Sequence, residues 1–338
     1  MEPIVLGKDF VPLSVVSFYD SLIWTDRYTE CGDFEISFPC ASFNPDIFQN
    51  GNYVIIEESE KTMIIESIEK KDSQEDGDMC NVSGRSLESI LDRRLIWDKQ
   101  SFTDKPIQEV VEALLNSEFI NPTNEDRKVP NFIFRSNPDP RLAEIKITDE
   151  YDKKTVYDSV KDICDKKHVG MSMTVEDGVF VFSLFIGMDR TYEQTENTFV
   201  IFSPEFGNFT DTTYTQDSKE YKNVIVVTGD KDAKTVVGEA SGLDRREGTV
   251  STDKTLGAEE TGKKELEKKK ITDMLDGEMT QMKYSEYGVD FFIGDIVQAE
   301  NKYGDSGRFR VSEMIHSCDD SGYKHYPTFT NIEEEENN

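Results

Sequence analysis

Three histidines, five cysteines and 68 acidic residues are the groups in this 338-residue chain from which metal, nucleophilic or acid–base chemistry could be built. His168, His316 and His325 stand at spacings that suit no metal centre, and no HExxH motif is present. Gly84-Arg85-Ser86 lacks the GxSxG frame that presents a serine nucleophile on a sharp turn. There is no phosphate-cradling GxxxxGK loop. Glu75-Asp76-Gly77-Asp78 and Asp230-Lys231-Asp232 fall short of a calcium loop, which needs oxygen ligands at alternate positions and a closing Glu; both read as turns. Carboxylate pairs of the glycosidase kind meet only in three dimensions, so none can be singled out among so many acids. No catalytic, cofactor-binding or metal-ligating residue is assigned, no cofactor is expected, and the chain reads as non-enzymatic. Cys31, Cys40, Cys80, Cys164 and Cys318 are odd in number and widely spaced, without a CxxC pair, and read as reduced thiols of a chain folded in a cytosol.

Charge excludes further classes. A formal net charge of −30 repels phosphate backbones, so specific nucleic-acid binding is not expected. Acidity of this kind also keeps a crowded protein soluble. The segment 263–270 is the one locally basic patch and reads as a solvated helix face rather than a phosphate or lipid contact. No apolar run reaches the roughly 18–20 residues of a membrane span, and the first residues lack the pattern of a signal peptide. The expectation is a soluble protein made in the cytoplasm. The sequons at Asn81 and Asn208 are chance matches in such a chain.

The elements fall into three stretches. Residues 1–100 read as β structure: Phe34-Glu35-Ile36-Ser37-Phe38 alternates as a half-buried strand does, and Tyr53–Ile56 and Met63–Ile65 flank a hairpin over 57–62. Leu87, Ile90, Leu91 and Leu95 recur at helical spacing, as a short helix packed on the sheet. Residues 101–195 change character. Asp104 is the expected cap of a helix with Pro106 in its first turn and Ile107, Val110, Val111, Leu114 and Leu115 as its apolar stripe. The proline-bearing stretch 121–141 is expected to wander over the surface. A second helix follows with Val156, Val160, Ile163 and Cys164 inward and Gly170 as C-cap. Alternation across Glu176-Asp177-Gly178 predicts a hairpin with an Asp-Gly turn. Residues 196–332 return to strands, interrupted over 254–280 by a charged helix with i,i+4 pairs Glu260/Lys264 and Glu265/Lys269. Residues 333–338 form an acidic tail. The fold class is α+β, mostly β: two small tube-type β-barrels bracketing a central α+β module.

Three stretches are more specific than composition. They are Ile23-Trp24-Thr25-Asp26-Arg27-Tyr28 with Gly32-Asp33-Phe34-Glu35-Ile36-Ser37-Phe38-Pro39, then Val82–Arg94, and then Gly187-Met188-Asp189-Arg190-Thr191 with Phe202-Ser203, Asn208-Phe209 and Tyr221-Lys222-Asn223. In this order they resemble the Gp37-like proteins of siphoviruses and their relatives in contractile tails. Phe292-Ile293-Gly294-Asp295-Ile296-Val297 is a weaker echo. The resemblance implies a baseplate hub, a homotrimeric ring of pseudo-sixfold symmetry that seats a sixfold tail tube on a threefold spike or tip. Its implied partners are the tail tube protein on one face and the spike or tip protein on the other, with the tape measure protein and baseplate wedge proteins as further neighbours, and no membrane insertion. Assembly into a phage tail or a tail-like bacteriocin follows, with a contractile tail favoured because the chain ends soon after its second barrel. A lumen lined with acids would let DNA slide. The alternatives are a tail-associated cell-wall hydrolase or a glycan-binding receptor protein. The first lacks Cys/His or zinc-ligand spacing, and in the second the aromatic residues alternate as core does.

Overall fold

The computed structural model describes residues 1–72, 77–229, 233–252 and 257–332. The opening stretch forms strands β1 (Ile4–Leu6), β2 (Pro12–Val15), β3 (Ser21–Arg27), β4 (Asp33–Pro39), β5 (Tyr53–Ile55), β6 (Met63–Lys71) and β7 (Met79–Ser86). Leu87–Arg93 then forms a 3₁₀ helix. Alternation sets the faces: Leu22, Trp24, Phe34, Ile36, Phe38 and Val82 are buried in one cluster, while their neighbours in sequence point the other way. β5 and β6 pair as the predicted hairpin, with Tyr53 opposite Ile64.

The middle stretch comprises β8 (Gln100–Pro106), α1 (Ile107–Leu115), β9 (Phe132–Phe134), α2 (Pro140–Glu144), β10 (Lys146–Tyr151), α3 (Val156–Lys167), β11 (Gly170–Glu176) and β12 (Val179–Phe185). The β11–β12 hairpin turns at Asp177 and Gly178, both with positive φ (50° and 78°), as a type I′ turn demands. Two predicted caps are corrected. Asp104 caps nothing, because residues 105 and 106 are drawn into a ladder with β10, and α1 starts after Pro106. α3 ends on His168 in the left-handed region rather than on Gly170, which instead opens β11. The stretch 121–141 is also more ordered than expected, since β9 pairs in parallel with β12.

The last stretch contributes β13 (Ile201–Phe202), β14 (Phe209–Asp217), β15 (Val224–Thr228), β16 (Lys234–Val237), β17 (Glu247–Ser251), α4 (Ala258–Lys268), β18 (Thr272–Met279), β19 (Ile296–Glu300), β20 (Ser306–Asp319) and β21 (Gly322–Asn331). β14 and β18 are antiparallel neighbours, and everything between them is an insert. In that insert β16, β15 and β17 form a sheet covered by α4 over Ile225, Val227 and Val237. The predicted charged helix is thus confined to 258–268. Its expected pairs are not formed: Lys264 reaches Asp149 and the Thr148 carbonyl, and Lys269 reaches Glu220. Those partners come from distant sequence, which i,i+4 spacing cannot anticipate. The tail 333–338 and the turns at Glu75-Asp76 and Asp230–Asp232 lie outside the described residues.

Among the described residues the strand ladders of the opening and closing stretches show no barrel closure. They join edge to edge through β3 and β20, which pair from Ser21 opposite Asp319 to Arg27 opposite Glu313. The result is one open path, β14-β18-β21-β20-β3-β4-β7-β6-β5-β1-β2, with β13 and β19 attached to its flank.

Candidate functional site

Tyr28, the stretch 187–191 and the echo at 292–297, all of which carried the sequence resemblance, meet at one place. β3 alternates Leu22, Trp24 and Asp26 into the interior and Arg27 out of it, so the next residue, Tyr28, projects where all three stretches converge. Its hydroxyl donates to the His168 carbonyl (2.8 Å), and its own carbonyl accepts from Met171 N–H (3.1 Å). Its backbone N–H donates to the Ser312 carbonyl (3.1 Å), and the Arg310 guanidinium lies 5.2 Å from its ring. Two glycines are required there: a Cβ on Gly170 would stand 2.4 Å from the ring, and one on Gly294 2.3 Å. Burial pushes the Tyr28 phenol above its ordinary pKa.

A second clamp lies beside it. The Asp295 carboxylate accepts from Met188 N–H (2.7 Å), Arg190 Nε (2.5 Å) and Phe292 N–H (3.1 Å). A Cβ on Gly187 would sit 1.9 Å from the Gly294 carbonyl oxygen. The motif at 187–191 and the echo at 292–297 are therefore halves of one joint. Between the first and middle stretches, Lys61 and Glu88 form a buried ion pair, closed by Met173 N–H donating to the same carboxylate (3.0 Å).

The outward face of the long sheet is polar. Across it runs a row of charges: Arg27 bonds Glu313 on β20 (2.6 Å) and Asp33 on β4, and Arg85 on β7 grips Glu66 on β6 through two bonds (2.8 and 3.0 Å). The Arg27–Glu313 pair crosses the seam between β3 and β20, and the others tie β3 to β4 and β7 to β6. Further along the same face, Asp211, Asp276, Glu278 and Glu313 surround a shallow cavity of about 450 Å³. Burial raises the Asp276 pKa above its ordinary value, with Glu313 adding to the shift and Thr328 opposing it. Lys324 pairs with Glu278 (2.8 Å), which leaves the acids in excess.

Inside the seam is a polar cluster that sequence spacing did not reveal. Asp26 (3% exposed) accepts from Trp24 Nε1 (3.1 Å), the Ser59 hydroxyl (2.8 Å) and the Tyr287 hydroxyl (3.2 Å). Opposite it are His316 and His325, cross-strand neighbours on β20 and β21 with rings 5.1 Å apart. His316 Nδ1 lies 2.9 Å from the Tyr323 hydroxyl, and its Nε2 faces Asp26 at 3.9 Å. Burial holds the two imidazoles down, to about 3 for His316 and about 4 for His325. Strand register, invisible in the spacing of 316 and 325, places them together; the third histidine, His168, lies apart at the end of α3. Among the described residues no group of His, Cys, Asp and Glu is arranged to hold a metal ion. The expectation of five reduced thiols is corrected: Cys40 and Cys80 form a disulfide at the end of the β4–β7 ladder, with Cα atoms 5.0 Å apart. Adjacent strand ends supply that proximity, whatever the separation in sequence. Cys31, Cys164 and Cys318 are free.

The fold is that of phage tail proteins. It superposes on the 43 kDa tail protein of prophage MuSo2 from Shewanella oneidensis with a TM-score of 0.64 and 11% identity, covering 98% of each chain. The tail protein of Neisseria meningitidis MC58 gives 0.59 and 14% (98% of this chain, 95% of that one). Prophage tail protein gp18 of Listeria monocytogenes EGD-e gives 0.55 and 13% (98% and 94%). The family described as Siphovirus ReqiPepy6 Gp37-like protein matches residues 5–329, and the chain belongs to it. No curated protein matches by sequence. No helix among the described residues is long and apolar enough to cross a membrane.

Proposed function

We propose that the chain is the baseplate hub subunit, a non-enzymatic homotrimer that adapts a sixfold tail tube to a threefold spike or tip in a phage tail or tail-like particle. The observation that carries this is the continuous run β14-β18-β21-β20-β3-β4-β7-β6, eight strands in which the two β regions lie side by side. Two such regions in each of three chains make six similar units around an axis. The run has free backbone at both ends among the described residues. β14 pairs only with β18, and β6 is partnered by β5 only at Met63 and Ile64. Unpaired strand edges are templates for another chain, and a ring abolishes them. Three copies joined in this way would close about 24 strands, wide enough for an aqueous channel. The acid-rich outward face, including Asp33, Glu66, Asp276, Glu278 and Glu313, would then line that channel. Such a wall does not hold passing DNA by phosphate contacts. Tube and spike would sit on opposite faces of the ring, with the tape measure and wedge proteins as neighbours, after synthesis in the bacterial cytoplasm.

Light scattering followed by negative-stain class averages tests this. The expected result is a species of three times 38.7 kDa with a threefold ring and a central opening. A compact dimer, or a monomer that stays monomeric with tube and spike proteins present, refutes it.

A further inference from the structure

Where the three stretches converge, the surface opens into a cleft of about 570 Å³, separate from the acid-lined sheet face. Its size is that of a built ligand site, and junctions between structural units are where such sites concentrate. One wall is the loop 57–61 between β5 and β6. A second is the end of β12 with Ser183 and Phe185. The third is the joint itself, with Met188, Phe292 and Ile293.

The walls divide by chemistry. The cations of the cleft are already neutralised, Lys61 by Glu88 and Arg190 by Asp295. Glu57 and Glu60 project from the loop and make no ion pair among the described residues, and Glu58 faces only the chain's α-amine, at 3.7 Å. Facing this acidic rim are apolar side chains that a protein ordinarily covers. Met188 is 49% exposed and Phe292 43%. An excess of carboxylate beside exposed apolar surface is matched by a cationic side chain next to an apolar one, presented by a flexible chain.

We propose that this cleft is a docking site for a basic, apolar-anchored segment of another polypeptide, with Lys or Arg set against Glu57, Glu58 and Glu60 and a Leu- or Phe-type side chain against Met188 and Phe292. The proposal stands on the cleft and not on the ring, so it survives or fails independently of the oligomeric state.

The test uses the full chain and two fluorescein-labelled hexapeptides, Arg-Leu-Phe-Arg-Leu-Phe and Glu-Leu-Phe-Glu-Leu-Phe, followed by anisotropy. The basic peptide is expected to bind, about tenfold or more tightly than the acidic one, and more weakly as salt rises. The triple variant Glu57→Gln, Glu58→Gln, Glu60→Gln, unchanged in circular dichroism, should weaken it about tenfold. Phe292→Asp should weaken it as well, while Glu267→Gln on α4 should leave it unchanged. No binding by the native chain, equal binding of the two peptides, or full affinity in the triple variant would overturn the proposal.

Discussion

Mild acid should loosen the seam between β3 and β20, and the size of the effect follows from the buried histidines. An unfolded chain binds a proton on each imidazole near pH 6.5, whereas His316 and His325 resist protonation down to about 3 and about 4. Between those limits the unfolded state takes up protons that the folded state refuses, so stability falls as pH falls. From pH 7.5 to 5.5 each histidine should cost about 1.4 kcal/mol, close to 2.303RT per pH unit over the one unit below 6.5. That figure depends little on how far below 5.5 the folded values lie. The pair together should therefore remove about 2–3 kcal/mol. Asp26, the nearest carboxyl, is raised by burial, and proton uptake there, between its raised value and the ordinary carboxylate range, opposes the loss, so the histidine figure is an upper one. Urea unfolding at the two pH values measures the difference as a shift of midpoint at constant slope. The double variant His316→Gln, His325→Gln should be less stable at pH 7.5 but much flatter between 7.5 and 5.5. If the native protein loses nothing over this range, or the double variant loses as much as the native one, the imidazoles do not control the seam.

Other outcomes follow from the joints. Tyr28→Ala should destabilise by about 3–5 kcal/mol, as for a buried aromatic, and Gly294→Ala should also destabilise through its positive φ and the clash with the ring; both are read from thermal melts. Glu88→Ala leaves Lys61 buried without its partner and should cost about 3–5 kcal/mol, while the paired replacement Lys61→Met, Glu88→Leu should recover much of that loss in the same assay. Thiol titration of the unreduced, denatured chain should find the three free cysteines, and Cys40→Ser with Cys80→Ser should lower stability by about 4 kcal/mol for the 40-residue separation.

Local signals were legible in the sequence, and relations between distant segments were not. Alternation at 34–38 and the Asp177-Gly178 turn express period and turn chemistry, both of which act within a few residues. The apolar stripe of α1 was equally plain, although a ladder with β10 moved its start beyond Asp104. Pairing of β3 with β20 joins residues nearly three hundred positions apart, and nothing in either strand names the other. The same holds for β15 and β17, whose parallel pairing builds the small sheet under α4, and for β18, which takes residues 272–279 out of the region read as a charged helix. Arg27, Asp33, Arg85 and Asp295 stood in the quoted motifs without assigned roles. Their work, in cross-strand ion pairs and a backbone clamp, appears only once register is fixed. The cleft was invisible for the same reason, because its three walls come from three parts of the chain.

Asp217 and Thr272 face each other as the last pair of the β14–β18 ladder. The insert therefore leaves and rejoins the sheet through a single doorway one strand spacing wide. Removing it and closing the gap with a two-residue turn would ask nothing of the ladder beyond that pair. By the same logic the doorway is a graft point. A foreign domain whose own termini lie close together could be spliced there and exchanged without redesigning the scaffold beneath.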